Sequence, residues 1–168
     1  MSQNVVHAPP GENYFTISRS FDAPRRLVYK CYTEPRHMSQ FWGPREATRT
    51  ECKIDLRVGG VWTVRWYYPD GRSWGYASVY LEIEPDAELH YRDAPNDWVF
   101  GLDGLPPLEL DSTIALSDQG RGTNVLVTVR CASVEARDEN VRRGFTGMVS
   151  VGNDRLAEYL KTIDLAQV

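Results

Sequence analysis

The 168-residue chain predicts an α+β fold, a curved seven-stranded antiparallel sheet wrapped around one long C-terminal helix. Two short helices follow the first strand. Three observations predict it. Hydrophobic periodicity runs in the order strand, two short helices, six strands, long helix. A single antiparallel sheet must bury one face, and the last helical segment is the one element large enough to cover it. Aromatic residues make up 11% of the chain, with five Trp, nine Tyr and five Phe, more ring area than a plain core of this size requires. The length suits one domain, placed at residues 14–168 behind a flexible N-terminal tail at 1–13.

Each element follows from its pattern. The tail holds Pro9, Pro10 and Gly11 without periodicity. Tyr14 to Phe21 alternates, with Phe15, Ile17 and Phe21 on one side. Asp22-Ala-Pro24 then sets Asp ahead of a Pro suited to the first turn of a helix. Leu27, Val28, Cys31 and Tyr32 follow at helical spacing. Glu34-Pro35 restarts a second short helix with Met38, Phe41 and Trp42, which Gly43-Pro44 stops.

Strands occupy the middle. Thr50 to Leu56 leads to Val61 to Tyr68, and Pro69-Asp-Gly71 is a hairpin signal. Ser73 to Glu84, Leu89 to Arg92, Leu108 to Leu116 and Thr123 to Ala132 complete the set. Ala94 to Pro107 is irregular yet holds Trp98, Phe100, Leu102 and Leu105, which mark it as a loop folding back onto an apolar surface. The final segment, about Glu135 to Ile163, reads as one amphipathic helix. Gly144, Gly147 and Gly152 inside it each cost up to about 1 kcal/mol, which implies a bend, a close approach, or room left beside the helix.

Composition bounds the partners. Asp and Glu outnumber Lys and Arg 23 to 19, for a net charge of −4, with no basic stripe of the kind nucleic-acid binding needs. No stretch approaches the ~20 apolar residues of a membrane span and no secretory signal opens the chain, so a cytoplasmic location is expected. Cys31, Cys52 and Cys131 are odd in number and widely spaced, which suits three reduced thiols rather than a disulfide framework or zinc site. Dimer formation is left open.

The aromatics form the main constellation. Trp62, Val64, Trp66 and Tyr68 share one face of their strand, and Trp74 and Tyr76 lie across the Asp70-Gly71 turn. In the Ser73–Glu84 strand, however, Ala77, Val79, Leu81 and Ile83 favour the opposite phase to Trp74 and Tyr76, a conflict that a bulge resolves. The candidate ligand-binding residues are Phe41, Trp42, Trp62, Val64, Trp66, Trp74, Tyr76, Tyr91, Trp98, Phe100, Phe145 and Met148. An apolar pocket with a few placed polar groups is the usual form of a small-molecule site.

Signs of catalysis are sparse. There is no nucleophile elbow, phosphate-binding loop or metal-binding helix motif, and no metal or cofactor is expected. His37 reads as an exposed helix residue, with a base at a cavity mouth as the alternative. His90 is expected on the outer face of the sheet. Glu82 and Glu84 share a strand face and read as solvated. No catalytic residue is assigned.

Phe21-Asp-Ala-Pro24 and Phe41-Trp-Gly-Pro44 resemble the opening of the activator homologues of the ninety-kilodalton heat-shock chaperone ATPase. That family belongs to the SRPBCC, or START-like, superfamily with the helix-grip fold of the birch-pollen allergen. The resemblance continues through Asp55-Leu-Arg-Val-Gly-Gly-Val-Trp62, Pro69-Asp-Gly71, Tyr80-Leu-Glu-Ile-Glu-Pro85, Gly122-Thr123 and Asp154-Arg-Leu-Ala-Glu-Tyr-Leu160, covering about residues 14 to 163. It implies a cavity between sheet and helix that takes small apolar molecules, with a stress-response or sequestration role, and it implies no particular reaction. Many members carry a Gly-Trp pair midway in the last helix, where this chain has Gly147-Met148 or Val151-Gly152. The eukaryotic activators have an extra N-terminal domain that this chain lacks, so a chaperone partner is not the expectation.

The leading expectation is therefore binding of a small, flat hydrophobic ligand, gated by the 94–107 loop. A cyclase-like or hydrolase-like enzyme acting on an aromatic or polyketide-type substrate is the alternative, and a chaperone-interacting module the third.

Overall fold

A computed structural model of the chain describes residues 2–99, 101–104 and 109–164. The expected first strand forms β2 (Tyr14–Phe21), with Phe15, Ile17 and Phe21 buried on one face. Pro24 is the residue before α1 (Arg25–Thr33), where its carbonyl accepts from the Leu27 and Val28 amides. Asp22 therefore contributes no cap, and Pro24 sits just outside the first turn. Glu34 breaks the helix and α2 (Pro35–Phe41) restarts at once, with Pro35 in its first turn.

The sheet follows as β3 (Arg49–Ile54), β4 (Val61–Tyr67), β5 (Ser73–Glu84), β6 (Glu88–Asp93), β7 (Asp111–Gln119) and β8 (Gly122–Arg130). The start expected for β7 at Leu108 lies outside the described residues. Every pairing is antiparallel, and the spatial order is β1-β2-β8-β7-β6-β5-β4-β3 once β1 (Val5–His7) is included. The sheet thus has eight strands and not seven. The additional strand lies inside the segment that composition marks as a tail, where Val5-Val-His7 pairs with Ser18, Ile17 and Thr16 of β2. Its three side chains are exposed, so it has no buried face to leave an alternation in the sequence.

The C-terminal helix is likewise shorter than expected. It is two helices, α3 (Val134–Arg142) and α4 (Phe145–Leu160), separated at Gly144. Gly144 takes φ +88, a left-handed conformation that glycine adopts without the penalty a side chain would bring. Gly147 and Gly152 stay helical, with open space beside both; a Cβ on Gly152 would meet only the Phe41 carbonyl oxygen, at 3.9 Å.

The inner face of the sheet, with α1 and α2, packs against Leu156 and Leu160 of α4 to form the main core. In β5 the pairing passes from Tyr80–Tyr91 to Glu82–His90, leaving Leu81 as an inserted residue. This bulge settles the conflict of phase. Tyr76 and Tyr80 belong to the main core before it, and Ile83 packs against the same core after it. Ala77 and Val79 meanwhile join a second, smaller core on the outer face with Ala94 and Leu102.

That second core corrects the expected role of the 94–107 loop. In its described part, Ala94, Val99 and Leu102 cover the outer face of the sheet instead of closing the space beneath α4. Trp98 is 60% exposed, and Phe100, Leu105 and Pro107 lie outside the described residues.

Candidate functional site

The Phe41-Trp-Gly-Pro44 turn shapes one wall of a cavity between the sheet and α4. Phe41 is buried against Tyr32, edge to face at 5.4 Å. Trp42 turns inward, and its indole Nε1–H donates to the Tyr76 hydroxyl at 2.7 Å. The next residue must be glycine: with φ +117, a Cβ on Gly43 would lie 1.9 Å from Nε1 of Trp66. That close approach lets Trp66 Nε1–H reach the Trp42 carbonyl at 2.8 Å. Trp66 in turn stacks on Trp74, with ring centroids 5.0 Å apart and planes 18° from parallel.

The cavity has a volume of about 40 Å³ and is lined from α1, α2, β4, β5, β8 and α4. Phe41, Trp42, Trp66, Tyr76, Phe145 and Met148, six of the candidate residues, meet there. Trp62, Val64 and Tyr91 do not line it; they are buried in the main core. Trp62 supports the wall from behind, edge to face with Trp42, Tyr76 and Tyr91 at 5.4 to 5.6 Å. Trp74 backs Trp66 and borders a separate surface hollow with Tyr68, Arg72 and Ser73. Trp98 is remote from the cavity for the reason given above, and Phe100 is not described.

Sequence reasoning missed six lining residues, namely Tyr32, Gly43, Val127, Val149, Gly152 and Asn153. Alternation in β8 and the helical stripe of α1 carried a signal for Val127 and Tyr32. Asn153 had none, being a polar residue on a helix read for its apolar stripe.

The cavity wall is predominantly apolar and carries no charged side chain. Burial raises the Tyr32 and Tyr76 phenols well above their ordinary range, with the Tyr91 hydroxyl adding to the effect at Tyr76 and the Trp42 hydrogen bond opposing it. Both are neutral hydroxyls near neutral pH. His37, expected to be exposed, is 9% exposed and shares a 2.7 Å hydrogen bond with the Tyr159 hydroxyl. It ties α2 to α4 and is not among the lining residues. His90 is partly buried and meets Asp111 at 2.9 Å. Burial pushes the Cys31 and Cys52 thiols up to about 12. Among the described residues no three His, Cys, Asp or Glu side chains gather where an ion could be held. No described helix is long and apolar enough to cross a membrane.

The last half of α4 is held firmly over α2. Arg155 donates to the carbonyls of Gln40, Gly43 and Pro44 at 2.8 to 3.2 Å, and Arg45 pairs with Glu158 through two hydrogen bonds. The first half, which carries Phe145, Met148 and Val149 over the cavity, is half-buried and follows directly on Gly144.

A model of the family described as Activator of Hsp90 ATPase homolog 1-like protein matches residues 22–161. Protein Ms6760 from Mycobacterium smegmatis has a similar structure, with a TM-score of 0.81 and 21% identity over 96% of this chain and 99% of that one. Protein NE0264 from Nitrosomonas europaea gives 0.77 and 22%, over 92% and 99%. A protein from Rhodobacter sphaeroides gives 0.80 and 20%, over 95% and 100%. No curated protein matches the chain.

Proposed function

This chain belongs to the Activator of Hsp90 ATPase homolog 1-like family, and from that premise we propose that it binds a small, flat hydrophobic molecule in the cavity beneath α4. The observation that carries the reading is convergence: aromatic side chains from both short helices, the neighbouring strands β4 and β5, and α4 meet around one space instead of filling it. The lining suits sequestration of a ligand better than a reaction on it. Its phenols are held neutral by burial, and His37, which meets α4, is spent on Tyr159.

The volume makes a demand. An apolar cavity of roughly 150 Å³ takes benzene, and this one offers about 40 Å³. Entry of a ring therefore requires the wall to yield. The half-buried first turns of α4 are the part built to do so, because Gly144 joins them to α3 while Arg155 holds the far half in place.

The test is quenching of tryptophan emission, with native mass spectrometry, against a panel of aromatic compounds and fatty acids. Saturable binding is expected for flat aromatic members, since Trp42 and Trp66 form the wall. Met148→Trp, which places an indole in the cavity lining, is expected to fill the space and abolish binding while the chain stays folded. Absence of saturable binding throughout the panel, or binding that Met148→Trp leaves intact, would overturn the proposal.

A further inference from the structure

The wall carries one side-chain amide. Asn153 lines the cavity and is 4% exposed. Its Nδ2 donates to Oδ1 of Asn4 at 2.9 Å. Asn4 donates its own Nδ2 to the Ser150 carbonyl at 3.3 Å and to Oδ1 of Asp154 at 3.2 Å. Both of those groups are acceptors, as a backbone carbonyl and an ionised carboxylate must be, so the orientation of the Asn4 amide is fixed. Asn4 therefore presents oxygen to Asn153, and Asn153 must answer with its NH₂ group. Its carbonyl oxygen is left over, and among the described residues no donor reaches it.

Of the other polar groups in the wall, both indole N–H groups are engaged. Trp42 Nε1–H is taken by Tyr76 and Trp66 Nε1–H by the Trp42 carbonyl. An acceptor in an apolar wall with no protein donor gains a hydrogen bond from a ligand that supplies one, and a hydrocarbon supplies none.

We propose that Asn153 Oδ1 is a specificity determinant that makes the cavity select apolar molecules bearing a hydroxyl or N–H group, phenol-like or alcohol-like, over hydrocarbons of the same shape. The inference rests on the binding reading above and adds the class of ligand. The N-terminal segment enters the site through it, because Asn4 holds the Asn153 amide in the selective orientation.

The experiment compares 2-naphthol with 2-methylnaphthalene, in which a methyl group replaces the hydroxyl. Dissociation constants are measured for the wild-type chain and Asn153→Ala, and the Asn153 side-chain amide resonance is followed in the wild type. The wild type is expected to bind naphthol at least about fivefold more tightly, the worth of one hydrogen bond, with the resonance moving for naphthol alone. Asn153→Ala is expected to level the pair. Equal or tighter binding of methylnaphthalene by the wild type would overturn this inference and leave the binding reading standing. Preference for naphthol retained in Asn153→Ala would overturn it too, and binding of neither compound would remove both. The wild-type comparison, read together with the Asn153 resonance, decides the matter even if Asn153→Ala does not fold.

Discussion

Gly43 carries more constraint than any other residue of the cavity wall. Its φ of +117 and the 1.9 Å approach that a Cβ would make to Trp66 combine backbone strain with overpacking. Gly43→Ala is expected to destabilise the fold by about 2–4 kcal/mol, measured as a fall in the urea midpoint; a loss under about 1 kcal/mol would show that the loop can shift. His37 gives a pH-dependent expectation. Burial holds its pKa below the ordinary histidine value, aided by Arg36 and Lys30 and opposed by Glu34. The unfolded chain then binds a proton more readily than the folded one, so stability present above about pH 6.5 is lost as pH falls through the lowered folded value. Asp93 acts in the opposite sense, since burial raises its carboxyl to about 6 and its contribution is lost as pH rises through that value. The clean measurement is thus the difference between wild type and His37→Gln. It is expected to shift in favour of the variant between about pH 7 and pH 5.5, and a difference that stays constant with pH would refute the assignment.

At the scale of elements, α4 shows why much of the site could be read in advance and part of it could not. Phe145 and Met148 stood out by helical spacing, and the Trp-bearing strand β4 by its alternation. The break at Gly144 was not legible, because the apolar stripe runs on through it and glycine alone does not distinguish a break from a gap. The outer cover over Ala77 and Val79 was hidden for a related reason: apolar residues in a loop show that it folds back, without showing onto which face. Gly152 offers a test that separates helix stability from binding. Its missing Cβ faces open space at the cavity, with one contact at 3.9 Å. Gly152→Ala is expected to raise stability by about 0.5–1 kcal/mol through helix propensity. The added methyl narrows a space that is already small, so affinity for flat aromatic ligands is expected to fall. Thermal melting and ligand titration of the same variant check both halves, and a gain in affinity would contradict the cavity's placement.

For the molecule as a whole, alternation and helix signals located nearly every element, since the sheet has one face against a core and α4 has one side against it. What escaped them was β1, held by backbone hydrogen bonds to β2 with its side chains in solvent. A strand of that kind obeys no pattern of hydrophobicity. Its presence has a consequence for solubility: it occupies the outer edge of β2, whose eight residues alternate and would otherwise offer an open row of amides and carbonyls to a neighbouring chain. Deletion of residues 2–8 is expected to leave that row bare. The shortened protein should then self-associate with rising concentration in light-scattering runs where the full chain does not, and an unchanged profile would count against this role. Three exposed residues of no apparent consequence to the core would thus act as the guard that keeps one copy's sheet from growing into the next.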